Sequence, residues 1–383
     1  MNKIRGIRNG KIILKNKIVD NKFLIFERKI IDIVDKVENL WEVEWIDAKG
    51  NYVSPGFIDI HIHGIGGYDT MDGNTRSLES ISERICENGV TAFLPTTMTM
   101  SKDKILNAMK AIKEYMEKQK NGAKVLGAHM EGPFINPIYK GAQNEKYIIP
   151  PNVNIIKEYL DIIKLITMAP EMDEGYGFIK EMSNYKQIIL SIGHSNATYE
   201  EAMEAINLGI KSATHTFNAM SPFQSRRPGV IGAILKSKVF CELIADKIHV
   251  HPAIFSILGD IKGSERLILI TDAMRAACMK CGEYELGGQT VYVSEDSARL
   301  KDGTLAGSVL RMNDAIRNMR EHTDYELQEI IKMASLNPAN LIGYGDSKGS
   351  IEKGKDADLT IFNNNLEILT TIVEGETCYS KEV

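Results

Sequence analysis

Eight short apolar runs alternate with helical patterns through the middle of the chain, and this alternation restricts the possible folds more than any other feature. The clearest helical patterns are residues 77–88, 101–120 and 198–208, with Gly89 and Gly209 as plausible stops. Strands that alternate with helices form parallel sheets, and eight such units are typical of a closed barrel. We therefore predict an α/β fold, a (β/α)8 TIM-type barrel. The predicted strands are residues 57–63, 91–96, 124–131, 163–169, 187–194, 212–216, 240–246 and 266–272.

Both ends of the chain contain short strand patterns, at residues 5–8, 11–14, 23–26, 358–362 and 367–373. Asn9-Gly10 predicts a tight hairpin, because both residues tolerate positive φ. An insertion after the eighth run predicts a hairpin over residues 281–300 and helices over 308–322 and 325–334. Neither end has enough strands to bury a core alone, so we expect the ends to pair. The predicted domains are a discontinuous small β-sandwich, residues 1–54 and 341–383, and a barrel, residues 55–340.

Composition and charge argue against several classes of partner. Of the 383 residues, 43% are hydrophobic and 25% charged, as in an ordinary globular enzyme. The net charge is -5 and there is no long basic run, which argues against nucleic acid. No stretch approaches the roughly 20 apolar residues of a membrane span. Residues 1–14 have no signal-peptide core, so we predict a cytoplasmic protein with no membrane partner.

The cysteines predict free thiols. There are five, an odd and scattered number, which fits a reducing compartment better than a disulfide framework. Cys278 and Cys281 form one Cys-x-x-Cys pair, but no second pair completes a structural zinc site. Two ordinary loop thiols are the favoured interpretation.

The first predicted strand, residues 57–63, carries two histidines on one face. Successive side chains of a strand point to opposite faces, so Asp59, His61 and His63 share a face. The other face is entirely isoleucine, which indicates that the strand is buried there. Two imidazoles one pleat apart can hold one metal ion from a rigid backbone.

Further histidines and carboxylates lie at the ends of the other predicted strands. They are His129, Glu131, His194, His215, His249 and Asp272. The active site of a barrel is built at the carboxyl ends of its strands. Six of the eight histidines fall at this rim, which packing alone explains poorly. We therefore predict a metal site there.

Imidazole and carboxylate ligands suit zinc or iron. Glu131, His194 and His215 make a three-ligand set with an open position, as in catalytic zinc sites. His61 and His63 could complete a second site, with Glu131 or a water as the bridge, so one or two divalent ions per subunit are possible. Asp272 could then serve as the general base.

Longer motifs resemble a known family. Residues 55–64 and 349–359 resemble the two ends of amidohydrolase-superfamily enzymes. Five inner motifs resemble the N-acetylglucosamine-6-phosphate deacetylase family of that superfamily. They are residues 129–134, 193–195, 214–220, 226–229 and 271–273.

The resemblance implies removal of acetate from N-acetyl-D-glucosamine 6-phosphate. It implies Glu131, His194 and His215 as the main metal ligands and Asp272 as the acid/base residue. It also implies a homodimer in which Arg226 reaches the phosphate of a neighbouring subunit. The sugar phosphate would lie against Ala142, Gln143, Asn218, Ala219, Arg226, His249, Leu305, Ala306 and Gly307.

The residues proposed for the phosphate fit it chemically. Backbone N–H groups in the loop at Asn218 and Ala219 can meet phosphate oxygens. The guanidinium of Arg226 offers a planar fork to the same group, although a solvated basic pair with Arg227 is the alternative.

Two positions depart from the family pattern. Gln143 stands where some members have histidine, and an amide can donate a hydrogen bond but cannot carry a proton. Lys247 stands where a glycine is common. Two other functions remain open: an amidohydrolase acting on a cyclic amide or on a related N-acetyl amino sugar phosphate, and a catalytically inactive scaffold. Glu131, at the position of the carbamylated lysine of many cyclic-amide enzymes, counts against the first of these, and retention of every ligand counts against the scaffold.

Overall fold

The computed structural model describes residues 4–37 and 42–381. Residues 1–3, 38–41 and 382–383 of the predicted terminal domain lie outside that range. The amino-terminal part forms β1 (Arg5–Arg8), β2 (Lys11–Ile13), β3 (Ile18–Val19), β4 (Phe23–Phe26), β5 (Ile30–Val34), β6 (Glu44–Asp47) and β7 (Tyr52–Pro55).

The next strands belong mainly to a parallel barrel. In chain order they are β8 (Phe57–Ile62), β9 (Gly64–Ile65), β10 (Tyr68–Asp69), β11 (Val90–Thr97), β12 (Lys124–Val125), β13 (Ala128–Glu131), β14 (Ile163–Met168), β15 (Ile189–Ile192), β16 (Ser212–Ala213), β17 (Phe240–Ile244) and β18 (Leu267–Ile270). The barrel order is β8-β11-β13-β14-β15-β16-β17-β18. The N–H of Asp272 donates to the carbonyl of His61 at 2.8 Å and closes the ring. The (β/α)8 barrel is therefore confirmed.

Helices surround the barrel. They are α1 (Thr75–Arg84), α2 (Lys102–Lys118), α3 (Val153–Ile156), α4 (Gly177–Met182), α5 (Tyr199–Leu208), α6 (Gly229–Lys236), α7 (Pro252–Lys262), α8 (Met312–His322), α9 (Leu327–Ala334) and α10 (Leu336–Leu341). The side chains of Thr198 and Glu201 form a reciprocal capping box at the start of α5. Ser101 precedes α2 as predicted, but its hydroxyl makes no capping bond. No helix in residues 4–37 and 42–381 is long and apolar enough to span a bilayer.

The remaining strands form a small three-stranded sheet over residues 282–299, named the lid, and complete the sandwich. The predicted insertion hairpin is β19 (Gly282–Leu286) and β20 (Gln289–Val293), joined by β21 (Ala298–Arg299). The carboxyl-terminal strands are β22 (Leu359–Phe362), β23 (Ile368–Val373) and β24 (Glu376–Ser380). They extend β7, β2 and β3 into one sheet, which faces the sheet β5-β4-β1-β6. Ile7, Phe26, Val53 and Ile361 pack in the core between the two sheets. Both chain ends thus build the β-sandwich, while the domain boundaries stay predictions.

The predicted hairpin at Asn9-Gly10 is wrong. Asn9 has the expected φ of 55°, but β1 and β2 belong to different sheets. Ile7 and Ile12 are both buried in the shared core, so the turn carries the chain from one sheet to the other. Gly10 is needed because a Cβ there would lie 2.6 Å from Val53.

The prediction of free thiols is wrong for one pair. Cys86 and Cys378, 292 residues apart in sequence, form a disulfide. It joins the 3₁₀ turn Ile85–Asn88 to β24, two segments whose proximity only the fold creates. Cys278 and Cys281 are free and exposed. Neither belongs to a group of potential metal ligands in the described part of the chain.

The motif at residues 349–359 and the preceding lysine have a structural role at the junction of sandwich and barrel. Lys348 Nζ lies 2.6 Å from Asp358 and 3.0 Å from Asp356, and its side chain is 5% exposed. Asp358 also accepts a hydrogen bond from the N–H of Glu374, and its carbonyl accepts one from Gly56 just before β8. The buried lysine therefore holds the strands that lead into the barrel.

Replacing Lys348 should destabilise the fold strongly. Lys348→Met leaves buried carboxylates without their cation, which costs about 3–5 kcal/mol in the free energy of unfolding. Urea unfolding followed by circular dichroism measures this. Lys353→Met, at a lysine whose side chain is 74% exposed, is the control and should change stability by less than about 0.5 kcal/mol. Equal small effects would show that the buried pair contributes nothing.

Candidate active site

Histidines from several strand ends converge on the carboxylate of Glu131 at the end of β13. Its Oε1 lies 3.1 Å from His215 Nε2, 3.2 Å from His194 Nε2 and 3.4 Å from His61 Nε2. Its Oε2 lies 3.4 Å from His63 Nε2. All five side chains are buried. Two groups of potential ligands result: His61, His63 and Glu131, and Glu131, His194 and His215.

The other nitrogens of three of these rings are occupied in a way that fits a metal centre. His61 Nδ1 meets Glu242 at 3.1 Å, His63 Nδ1 meets the carbonyl of Thr96 at 3.2 Å, and His194 Nδ1 meets the carbonyl of Tyr139 at 2.9 Å. Acceptors at Nδ1 fix the proton there and turn the Nε2 lone pairs toward the centre.

A cation would satisfy the nitrogens that face the centre. His194 Nε2 and His215 Nε2 approach to 3.1 Å, where two lone pairs would repel each other. His61 Nε2 has no hydrogen-bond partner among the residues described. The donor set and its geometry therefore fit a divalent ion.

The electrostatics also favour a cation. Burial lowers the pKa of His61, but Asp272, Glu131 and Glu242 outweigh it and raise that pKa to about 9. Burial raises the pKa of Glu131, yet His61 and the other imidazoles hold it well below its usual range. The cavity floor is therefore a concentration of ionised carboxylates that positive charge must balance.

Asp272, just past β18, faces His61 and His63. Its Oδ1 lies 3.2 Å from His63 Nε2 and 3.4 Å from His61 Nε2. Burial raises the pKa of Asp272, but the charges of His61 and His63 bring it down to about 2. The carboxylate is therefore ionised near neutral pH.

Three site residues adopt left-handed backbone conformations. His194, His215 and Asp272 have φ of 48°, 30° and 49°. Such conformations cost energy for residues other than glycine and persist where the surrounding structure holds them. Here the strand ends turn sharply, so that the side chains point into the centre.

His129 is not part of the ligand groups. It lies inside the barrel, where Nε2 contacts Thr167 Oγ1 at 2.8 Å and Nδ1 contacts the carbonyl of Ile60 at 3.1 Å. Burial and the neighbouring His61 hold its pKa well below the usual value, so the ring is neutral. It supports the floor of the site.

A cavity of about 370 Å³ opens above the ligands. Of the predicted substrate contacts, seven line it: Ala142, Gln143, Asn218, Ala219, His249, Leu305 and Gly307. Ala306 is fully buried behind the lining. Arg226 is exposed and lies outside the lining of this subunit's own cavity.

The two departures from the family pattern have local explanations. Gln143 Nε2 donates to Glu131 Oε2 at 2.7 Å, and Gln143 Oε1 accepts from the N–H of Thr99 at 2.7 Å. The amide therefore orients Glu131. Lys247 has a φ of 71°, a conformation that glycine adopts without strain. Asp246 holds the turn by accepting from the N–H of His249, and its carboxylate contacts the His249 ring at 2.6 Å.

Sequence reasoning missed two residues of the site. Glu242 is fully buried in β17 and contacts His61. Its signal was a single charge within the otherwise apolar run 239–245. Arg299 in the lid lines the cavity and donates to the carbonyl of Gly303 at 2.9 Å. Nothing in the sequence distinguished it from other lid residues.

Comparisons with known proteins agree with this geometry. The sequence model of the amidohydrolase family matches residues 52–378. The N-acetylglucosamine-6-phosphate deacetylase of Bacillus subtilis (strain 168) is 40% identical over 387 residues, covering 98% of each chain. The N-acetylgalactosamine-6-phosphate deacetylase of Escherichia coli O157:H7 is 34% identical, covering 86% of this chain and 88% of that one.

A solved structure supports the same relationship. The crystal structure of N-acetylglucosamine-6-phosphate deacetylase from Pasteurella multocida superposes with a TM-score of 0.92 at 34% identity, covering 99% of this chain and 100% of that one. The chain therefore belongs to the amidohydrolase family, in the group of amino-sugar-phosphate deacetylases that these relatives represent.

Proposed function

We propose that the protein hydrolyses the acetamide of N-acetyl-D-glucosamine 6-phosphate to acetate and D-glucosamine 6-phosphate. The observation that carries the proposal is the position of Asp272. Its carboxylate contacts His61 and His63 at the floor of a cavity whose volume of about 370 Å³ suits a small ligand. The names of the relatives supply the substrate.

The family depends on metal, and the His/Glu groups are able to bind one. We propose a divalent ion, zinc or iron, held by Glu131, His194 and His215, with His61 and His63 available for a second ion. A bound ion would lower the pKa of a water molecule and polarise the acetyl carbonyl.

Asp272 would carry the proton in both halves of the reaction. Its Oδ1 accepts a proton as water adds to the acetamide carbon and the new C–O bond forms. The same carboxyl then gives that proton to the amine nitrogen as the C–N bond breaks. The lowered pKa of Asp272 means that its carboxylate carries no proton at the start of the reaction.

The cavity would hold the sugar phosphate with groups of both subunits of a homodimer. Asn218, Ala219 and His249 line one subunit's cavity. Among the described residues that line the cavity, Arg299 is the only lysine or arginine. Arg226 is exposed, and Phe223 in the same loop is 60% exposed, as expected of a loop that reaches a partner. The cytoplasmic location stays a prediction.

Asp272→Asn tests the proton-carrying role. The amide keeps the size of the side chain and removes the base, so kcat for acetate release should fall by a factor on the order of 10² or more. Metal content, measured on the same preparation, should stay near normal. A metal-replete Asn variant with near-normal activity would contradict the role. Loss of metal with rescue by added metal would instead make Asp272 a ligand. Comparing the wild-type kcat/KM for N-acetylgalactosamine 6-phosphate with that for N-acetylglucosamine 6-phosphate shows which of the two is the preferred substrate.

Arg226→Ala tests phosphate recognition across the dimer. It should weaken the binding of N-acetylglucosamine 6-phosphate by roughly 1.5–3 kcal/mol and leave the binding of N-acetylglucosamine nearly unchanged, because only the phosphate gains a charge-assisted hydrogen bond. Arg227→Ala, at the adjacent exposed arginine, is the matched control and should change little.

Mixing the two impaired variants locates the arginine. A dimer of Arg226→Ala and Asp272→Asn subunits has one complete site if Arg226 acts on the partner's phosphate. Mixed dimers should then regain a KM close to that of wild type. No recovery on mixing would place the arginine in its own subunit's site or outside catalysis.

A further inference from the structure

Glu242 is a fully buried carboxylate with contacts to both ligand groups. It lies in the middle of β17, which β18 alone separates from β8 in the closed barrel. Its Oε2 lies 3.1 Å from His61 Nδ1 and accepts the N–H of His215 at 3.1 Å. His61 belongs to one group of potential ligands and His215 to the other. Among residues 4–37 and 42–381, no other carboxylate contacts both His61 Nδ1 and the backbone N–H of His215.

The carboxylate of Glu242 faces the site and has no basic side chain beside it. Among the described residues no lysine or arginine forms an ion pair with it, and its Oε1 has no hydrogen-bond partner. A carboxylate buried in this way is stable only with a hydrogen-bond donor or positive charge nearby. The imidazoles, and an ion beyond them, are the groups placed to provide it.

The histidines differ in what fixes their rings. His63 and His194 are each held at Nδ1 by a backbone carbonyl, whereas His61 is held by the Glu242 carboxylate. A carboxylate behind a histidine fixes the tautomer, orients the ring and makes Nε2 a more basic ligand. In the group His61, His63 and Glu131, the ring of His61 is thus held by a carboxylate and that of His63 by a backbone carbonyl.

We propose that Glu242 is a positioning residue that makes the His61–His63 group competent to hold a second divalent ion. This rests on the metal dependence in the proposed function, but not on the identity of the substrate. Glu242 touches neither the cavity nor Asp272, so it acts through His61. The N–H of His215, whose φ is 30°, is held by the same oxygen, so Glu242 also braces the strained turn of the other group.

Titration of metal-free protein with Zn²⁺ alone tests the proposal without substrate. Wild type should bind two ions per chain. In Glu242→Gln the amide oxygen can still accept the His215 N–H, but the charge behind His61 is gone. The tighter ion should therefore be unchanged and the second weakened roughly 10- to 100-fold. Asp173→Asn, at a buried carboxylate that caps backbone N–H groups away from the ligands, is the matched control and should bind as wild type.

A double-variant comparison separates positioning from general loosening of the fold. If Glu242 acts through His61, Glu242→Gln should weaken Zn²⁺ no further in a His61→Asn background. An equal further loss there, or a Glu242→Gln variant that binds both ions as wild type does, would overturn the proposal.

One measurement needs no substitution. Nitrogen NMR of histidine-labelled, Zn²⁺-loaded wild type should show His61 with its proton on Nδ1 and none on Nε2. A proton on His61 Nε2 in the loaded protein would exclude it as a ligand through that atom and overturn the assignment, even if the Glu242 variants do not fold. Because none of these readouts involves substrate, a wrong substrate in the proposed function would leave them unaffected.

Discussion

The site depends on the burial of one carboxylate among imidazoles. Glu131 Oε1 lies within 3.4 Å of three histidine Nε2 atoms, and Gln143 holds its second oxygen at 2.7 Å. A charge this deeply buried is stable only when it is paired and hydrogen-bonded. Glu131 is shared by both ligand groups, so whatever fixes its position fixes both.

Closing the barrel and assembling the site are the same structural event. The N–H of Asp272 donates to the carbonyl of His61, which joins the last strand to the first. The bond brings Asp272 to 3.4 Å from His61 Nε2. Parallel strands place their carboxyl ends at one rim, and sharp left-handed turns at His194 and His215 then aim the side chains inward. Strain at these turns is held by the packed barrel below them.

Much of this architecture could be predicted from the sequence because it follows from local patterns. Apolar runs and helical spacing predicted the barrel, and strand alternation predicted that His61 and His63 share a face. Features set by distant pairing were not visible. The Asn9-Gly10 turn has the conformation expected locally, but which sheets its strands join depends on a shared core. Cys86 and Cys378 are 292 residues apart in sequence, and only the folded chain brings them together.

The candidate site shows the same division. The histidines at strand ends could be identified from their positions in the sequence. How deep each one lies in the barrel could not, so His129 could not be distinguished from a ligand. Its ring is satisfied by Thr167 and Ile60, contacts that the sequence does not contain.

Anomalous X-ray diffraction from crystals of the protein as purified, recorded near the zinc and iron absorption edges, tests the central claim most directly. The account predicts a peak about 2.0–2.1 Å from His194 Nε2 and His215 Nε2, bound also by Glu131. Crystals of protein that releases acetate but shows no peak there, or a peak only at Cys278 and Cys281, would contradict it.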